Sequence, residues 1–279
     1  MASDGPYKYD PSTTAAVLFA IIFCIPTIWH CIQCVRTRSW YFIALIIGGF
    51  FEIIGYTTRA ITTKDVDNKA AYIIQTLTIL LAPALFAASM YMLLGRLVVV
   101  TRSQRLSLIR PNWLTKIFVG GDVLSFLIQC LGGGVLATQA TADKPDQSKL
   151  DLGENIIVVG LFVQLVFFGL FLIVGGWWAR RLRRESSGKN DGSGGVPWKK
   201  HFVVLMAASF LVFVRSAFRV IEYLGGSDGY LLSHEWPAYV FDAALMYTVM
   251  VLFNTTHPSE VTRFLKMPEG QIEIGLVRG

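Results

Sequence analysis

The sequence predicts an all-α, polytopic membrane protein, a bundle of seven transmembrane helices. Three observations carry that prediction. Of 279 residues, 53% are hydrophobic and only 16% are charged, where a soluble domain carries about 25% charged residues. The mean hydropathy is +0.52. The apolar residues also gather into seven runs, each long enough for a helix to cross the bilayer, which takes about 20 residues. Such a composition excludes disorder, a coiled coil, a disulfide-stapled secreted module and most soluble enzymes.

The predicted spans are 13–35, 40–61, 70–95, 113–138, 154–178, 201–223 and 236–256, together 166 residues in one membrane domain, 13–256. A short tail, 1–12, precedes them and a second tail, 257–279, follows. The first span is too long for the apolar core of a signal peptide, and only Lys8 is basic before it. Pro26 interrupts it, and each such proline removes a backbone donor and favours a kink. Span 2 carries Glu52, Tyr56 and Arg59 at i, i+4, i+7, with Gly48 and Gly55 on roughly the same face, where they are expected to leave space beside the carboxylate. Span 3 holds Gln75 and the interruption Leu81-Ala82-Pro83-Ala84. Span 4 holds Asp122, Ser125 and Gln129, and then Gly132-Gly133-Gly134, read as a close-packing surface. Lys116 lies near its end and is expected to snorkel. Span 5 carries Gln164, and the loop after it, 186–195, reads as a flexible Gly/Ser linker. Span 6 carries Arg215, Arg219 and Glu222 on one face, and span 7 carries Tyr239 and Asp242. The sequon Asn254-Thr255-Thr256 falls at the end of span 7, where no sugar is expected.

The net charge of +6 reads as a topogenic bias rather than a nucleic-acid footprint. The N-tail and the even-numbered loops hold five Lys and Arg, the opposite side sixteen, and four lie within spans. The positive-inside rule then places the N-terminus outside and the C-terminus in the cytosol. Cys24, Cys31, Cys34 and Cys130 lie in or beside apolar segments and imply no disulfide framework.

Charges inside a bilayer cost at least about 2.5–3.5 kcal/mol each and normally face the bundle interior, with partners. By depth, Glu52 falls near mid-membrane. Arg59, Gln75, Gln129, Arg215, Arg219, Glu222 and Asp242 fall in the outer half, and Asp122 toward the cytosolic half. Three cations face three anions (Glu52, Glu222 and Asp242) in the outer group, which suits mutual pairing. Two readings stand side by side: a substrate site, or a paired network that sets helix register. For Asp122, Gln129 and Gln164, hydrogen bonding between helices is an equal alternative.

Other chemistries lack their residues. Span 7 has no lysine for a retinal Schiff base, and neither a Walker A motif nor GxSxG occurs. His30, His201, His234 and His257 are too scattered for a three-histidine zinc site, and Cys31-x-x-Cys34 lacks a second ligand pair. No metal or cofactor is expected.

A chain-long pattern resembles the fungal lipid-translocating exporter family, the seven-span proteins of aminocholesterol and sphingoid-base resistance. It comprises Glu52-Ile53-Ile54-Gly55-Tyr56-x-x-Arg59, Leu81-Ala82-Pro83-Ala84 with Ala88-Ser89-x-Tyr91, and Asp122-x-x-Ser125-x-x-x-Gln129-x-x-Gly132-Gly133-Gly134. It continues with Gly160-Leu161-x-x-Gln164, Arg215-x-x-x-Arg219-x-x-Glu222, Glu235-x-x-x-Tyr239-x-x-Asp242 and Asn254-x-x-His257-Pro258. The resemblance implies a fungal origin, a plasma or internal membrane, and movement or sensing of an amphipathic lipid such as a sphingoid base. It links relatives to porphyrin uptake and drug resistance. A transporter without enzymatic activity is therefore expected, with a lipid as partner and no nucleic acid. Its expected ammonium counter-ion is Glu52, then Asp242. A lipid-binding receptor and a lipid-modifying intramembrane enzyme are the alternatives, though DRY, NPxxY and an identifiable nucleophile or metal are all missing.

Overall fold

In a computed structural model, the chain is described over residues 11–65, 68–140, 146–186, 198–225 and 230–266. Lys8, Lys144, the linker beyond Ser186 and the tail beyond Lys266 lie outside these residues. The described residues form helices without strands. The main ones are α1 (Thr13–Thr37), α2 (Ile43–Thr62, entered through the 3-10 turn Trp40–Phe42), α3 (Lys69–Val100), α4 (Pro111–Ala140), α5 (Gln147–Ser186), α6 (Trp198–Leu224), α7 (Trp236–Thr255) and α8 (Ser259–Lys266). The first seven each contain a segment long and apolar enough to cross a membrane, and the protein is an integral membrane protein.

The helices outrun the predicted spans where the chain turns polar. α5 extends from Gln147 to Ser186 although apolar residues end near Trp178. Hydropathy marks where a helix leaves lipid, whereas the backbone hydrogen-bond ladder continues as long as no residue breaks it. The second tail also holds a helix where none was expected. In α8, Val261 and Thr262 are buried, and Tyr41 donates to the Pro258 carbonyl at 3.0 Å just before it.

Burial runs opposite to that of a soluble bundle. On α1, Ile25 is 65% exposed while Thr27 and His30 are buried, and on α4 Leu131 is 68% exposed while Asp122, Ser125 and Gln129 are buried. Hydrocarbon solvates the aliphatic faces, and the polar residues turn inward to find partners. The core that remains is aromatic: Phe42, Phe86, Tyr91, Phe118, Phe168, Phe171 and Trp178 form its largest fully buried part.

Glycines decide how closely helices approach. A Cβ on Gly48 would stand 2.6 Å from the Phe86 ring and 2.9 Å from the Ala82 carbonyl, and one on Gly55 would stand 2.5 Å from Ile79. These glycines therefore let α2 press against α3, correcting the expectation that they leave space beside Glu52. Gly132 acts likewise between α4 and α5, with the Gly153 carbonyl 2.7 Å from a Cβ placed there, while Gly133 and Gly134 meet nothing within 4 Å.

Candidate functional site

Consecutive helices run antiparallel, so the C-terminal half of α2 meets the N-terminal halves of α3 and α7 and the C-terminal half of α6. Each contributes charge there. Arg215 is fully buried; its Nε donates to Asp242 Oδ1 at 2.7 Å and its Nη2 to the Ile79 carbonyl at 3.2 Å. That carbonyl is available for a sequence reason. It lies four residues before Pro83, which has no N–H with which to close the helical bond. The proline in α3 thus supplies an acceptor for an arginine in α6. Arg219 bridges two carboxylates, with Nη1 at 2.8 Å from Glu222 Oε2 and Nη2 at 2.9 Å from Asp242 Oδ2.

Asp242 reaches both arginines from a π-helical turn, Tyr239–Ala243, closed by the Ala244 N–H on the Tyr239 carbonyl. The wider turn inserts extra backbone into α7 and departs from the regular helix that hydropathy predicts. Such turns recur at functional sites.

Toward the α2 C-terminus lies a second pair. Arg59 Nη2 is 3.1 Å from Glu235 Oε1, its Nε donates to the Tyr239 hydroxyl at 3.2 Å, and its guanidinium lies over the Tyr239 ring at 5.3 Å. Tyr239 in turn donates to Glu235 at 3.0 Å. Glu235 also accepts from the Ser12 backbone N–H at 2.9 Å, pinning the start of α1. Sequence reasoning left Glu235 out of the site because it lies just before the last apolar run. Its signal was the i, i+4 spacing to Tyr239 within Glu235-x-x-x-Tyr239-x-x-Asp242.

Glu52 differs from every other carboxylate in this network. It is 1% exposed, and neither carboxylate oxygen has a hydrogen-bond partner. It lies within electrostatic reach of Asp242, Arg215 and Arg219 without pairing with either arginine. Asp242, the second expected counter-ion, by contrast has both oxygens engaged by arginines. Two arginine nitrogens, Arg215 Nη1 and Arg219 Nε, are likewise buried without a partner. An aromatic wall flanks the group: Tyr56 stacks on Phe23 at 5.7 Å and on Tyr239 at 6.1 Å, and Phe19 stacks on Tyr239 at 4.9 Å.

The other expected site residues divide. Gln75 is buried on α3 one turn before Ile79, on the network side. Gln129 and Asp122 belong to different contacts. Gln129 Nε2 donates to Ser125 Oγ at 2.7 Å and stands 3.4 Å from Gln164 Oε1, while Ser125 donates to the Gly160 carbonyl at 2.6 Å. These are α4–α5 clamps. Asp122 accepts from the Tyr91 hydroxyl at 2.9 Å, among Phe118, Phe168 and Phe171. Tyr91 lies twelve residues along α3 from Ile79, or about 18 Å at 1.5 Å per residue, so Asp122 is remote from the arginine network. The described residues contain no cluster of three or more His, Cys, Asp or Glu suited to a metal.

Comparison with known proteins covers nearly the whole of this arrangement. The family described as RTA1 like protein matches residues 45–264, which include every residue of the network except Ser12. Protoporphyrin uptake protein 1 of Saccharomyces cerevisiae is 32% identical over 89% of this chain and 90% of its own length. A probable lipid transporter, atnI, of Emericella nidulans is 32% identical over 91% of this chain and 68% of its own. The sphingoid long-chain base transporter RSB1 of Saccharomyces cerevisiae is 24% identical over 88% and 70%. No solved structure matches the chain. With a family match spanning α2 to α8, and fungal relatives aligned over most of their lengths, this chain belongs to the RTA1-like family of seven-helix membrane proteins.

Proposed function

We propose that this protein moves amphipathic lipids with a cationic head, of the long-chain amino-alcohol type, and that Glu52 is the counter-ion of the head. The observation that carries the reading is the buried Glu52 carboxylate with no partner, beside arginines whose charges are already paired with Asp242, Glu222 and Glu235. An ammonium offers the charge and the donors that Glu52 lacks. A hydroxyl on the same head offers an acceptor to the unpartnered Arg215 Nη1. Tyr56, Tyr239, Phe19 and Phe23 supply apolar and cation-binding ring faces beside it. The relatives named as lipid and sphingoid-base transporters support the same reading. In it the protein binds and releases its lipid unchanged, with the N-terminus outside and the network in the outer half of the membrane.

The experiment is binding and transbilayer movement of a labelled long-chain amino alcohol in vesicles containing only this protein. Glu52→Gln keeps shape and hydrogen-bonding capacity but removes the charge. The expected result is binding weakened by about tenfold or more, while a neutral lipid of equal chain length is much less affected. If the variant binds and moves the amine at the parental rate, Glu52 is not the counter-ion. Turnover of the lipid in the same vesicles would point to an enzyme instead.

A further inference from the structure

Among the described residues, the charges of the site balance without Glu52. Arg59 is matched by Glu235, and Arg215 and Arg219 are matched by Asp242 and Glu222 through direct contacts. That makes three cations and three anions, with Glu52 a fourth carboxylate. Its surroundings can be stated helix by helix. On α2 itself the nearby ionisable groups are Tyr56 and Arg59. From α6 come Arg215 and Arg219, with Glu222 behind them, and from α7 come Asp242 and Tyr239. α1 packs Phe19, Phe23 and Thr27 at this level, and α3 packs Ile79, Ala82 and Gln75, none of which ionises. An ionised Glu52 would be a net negative charge, buried to 1% exposure with no hydrogen-bond donor. Its nearest charged neighbours would include the like-charged Asp242. A buried carboxylate so placed is normally neutralised.

We propose that Glu52 holds a proton when the site is empty and exchanges it for the cationic head of the lipid, so that one proton leaves for each amine that enters. The inference rests on the counter-ion reading of Glu52. The exchange balances: the carboxyl O–H breaks, its proton passes to water, and the carboxylate so formed pairs with an ammonium that keeps all its own protons. The site carries the same net charge before and after. A proton gradient across the membrane would therefore bias loading and unloading, since the side with more protons favours the empty, protonated carboxyl.

The test is calorimetric binding of a long-chain alkylamine to the purified protein, in buffers of different ionisation enthalpy, between about pH 5.5 and 7.5. The amine stays charged over that range, because aliphatic amines titrate near ~10. The expected result is about one proton released per amine bound and affinity rising about tenfold per pH unit. Binding with no proton release and no pH dependence would overturn the exchange and leave the counter-ion reading standing. Failure to bind the amine at all would overturn both. Glu52→Gln should bind weakly and lose the pH slope; a retained slope would assign the proton to another group and overturn the inference. Should that variant fail to fold, infrared difference spectra of the parent protein decide. A protonated carboxyl band present in the empty protein and lost on amine binding is expected, and no change in that region would overturn the exchange.

Discussion

At the scale of single residues, three buried ionisable side chains on neighbouring helices have different roles because of what each touches. Arg215 satisfies a carboxylate and a backbone carbonyl and has no exposed surface. Arg219 satisfies two carboxylates but keeps 19% of its side chain exposed. Glu52 satisfies nothing in the described structure. Removing one partner of a buried ion pair costs about 3–5 kcal/mol, because the remaining charge stays buried and uncompensated. Arg215→Ala should therefore destabilise the purified protein by about that amount. Arg219→Ala should cost less, since its side chain is only partly buried, and Glu52→Gln should cost nothing measurable. Thermal unfolding in detergent ranks the three, and a Glu52→Gln protein as unstable as Arg215→Ala would show that Glu52 has a structural partner.

At the scale of elements, glycine placement and the α8 tether make separate predictions. Gly48 and Gly133 both lie within helices, yet a side chain at the first meets Phe86 and the Ala82 backbone while one at the second meets open space. Overpacking costs about 1–3 kcal/mol, so Gly48→Ala should lower thermal stability. Gly133→Ala should be neutral or stabilising, because alanine is the better helix former by about 1 kcal/mol. Equal effects would mean that α2 and α3 yield easily. The α8 tether depends on His257, whose Nδ1 accepts from the Ser259 N–H at 3.2 Å at the helix start, while His201 Nε2 pairs with Glu260 Oε2 at 2.8 Å. Burial, and secondarily the neighbouring His201, lowers His257 from the ordinary 6.5 to about 4. Protons then bind the undocked state more readily than the docked one. The contribution of His257 is complete above about pH 6.5 and is lost as the pH falls toward about 4. Hydrogen-exchange protection at 259–263, taken relative to the intrinsic exchange rate at each pH, should fall across that window on acidification. His257→Asn, which keeps an acceptor for Ser259 but does not titrate, should flatten the change; an unaltered profile would assign the effect to another group.

At the scale of the whole molecule, the bundle carries most of its basic loop residues at one end and its buried arginine network toward the other. Arg36, Arg38, Arg102, Arg105, Arg110 and Arg180–Arg184 cluster around the ends of α1, α3 and α5 and the start of α4. Arg105 there pairs with Glu185. The positive-inside rule gives the orientation of our proposal. A tag before Met1 should react with an impermeant reagent on intact cells, and one after Gly279 should react only after permeabilisation. The reverse pattern would turn the network toward the cytosol and reverse the direction in which a proton gradient loads the site.

The sequence by itself determined the class, the seven spans, the inward turn of the charged residues and the family, because each follows from counts and spacings along one chain. Burial in lipid makes a misplaced charge so costly that Glu52, Arg59, Arg215, Arg219, Glu222 and Asp242 could be expected inside from hydropathy alone. Partner choice could not be read in that way. That Arg59 takes Glu235, that Arg215 takes Asp242 and the carbonyl freed by Pro83, and that Glu52 is left over depend on the rotation and depth of four helices relative to one another. Gln129 appeared as a candidate beside the network because sequence reports depth but not azimuth, and α4 turns it toward α5 instead; Asp122, which depth already set toward the cytosolic half, meets Tyr91 of α3. The π turn that aims Asp242 has no hydropathy signature, since one wider turn leaves the apolar run unbroken. Tertiary packing alone decided which carboxylate remained unpaired, because pairing depends on distances of about 3 Å between side chains on different helices, and spacing along the chain does not encode those distances.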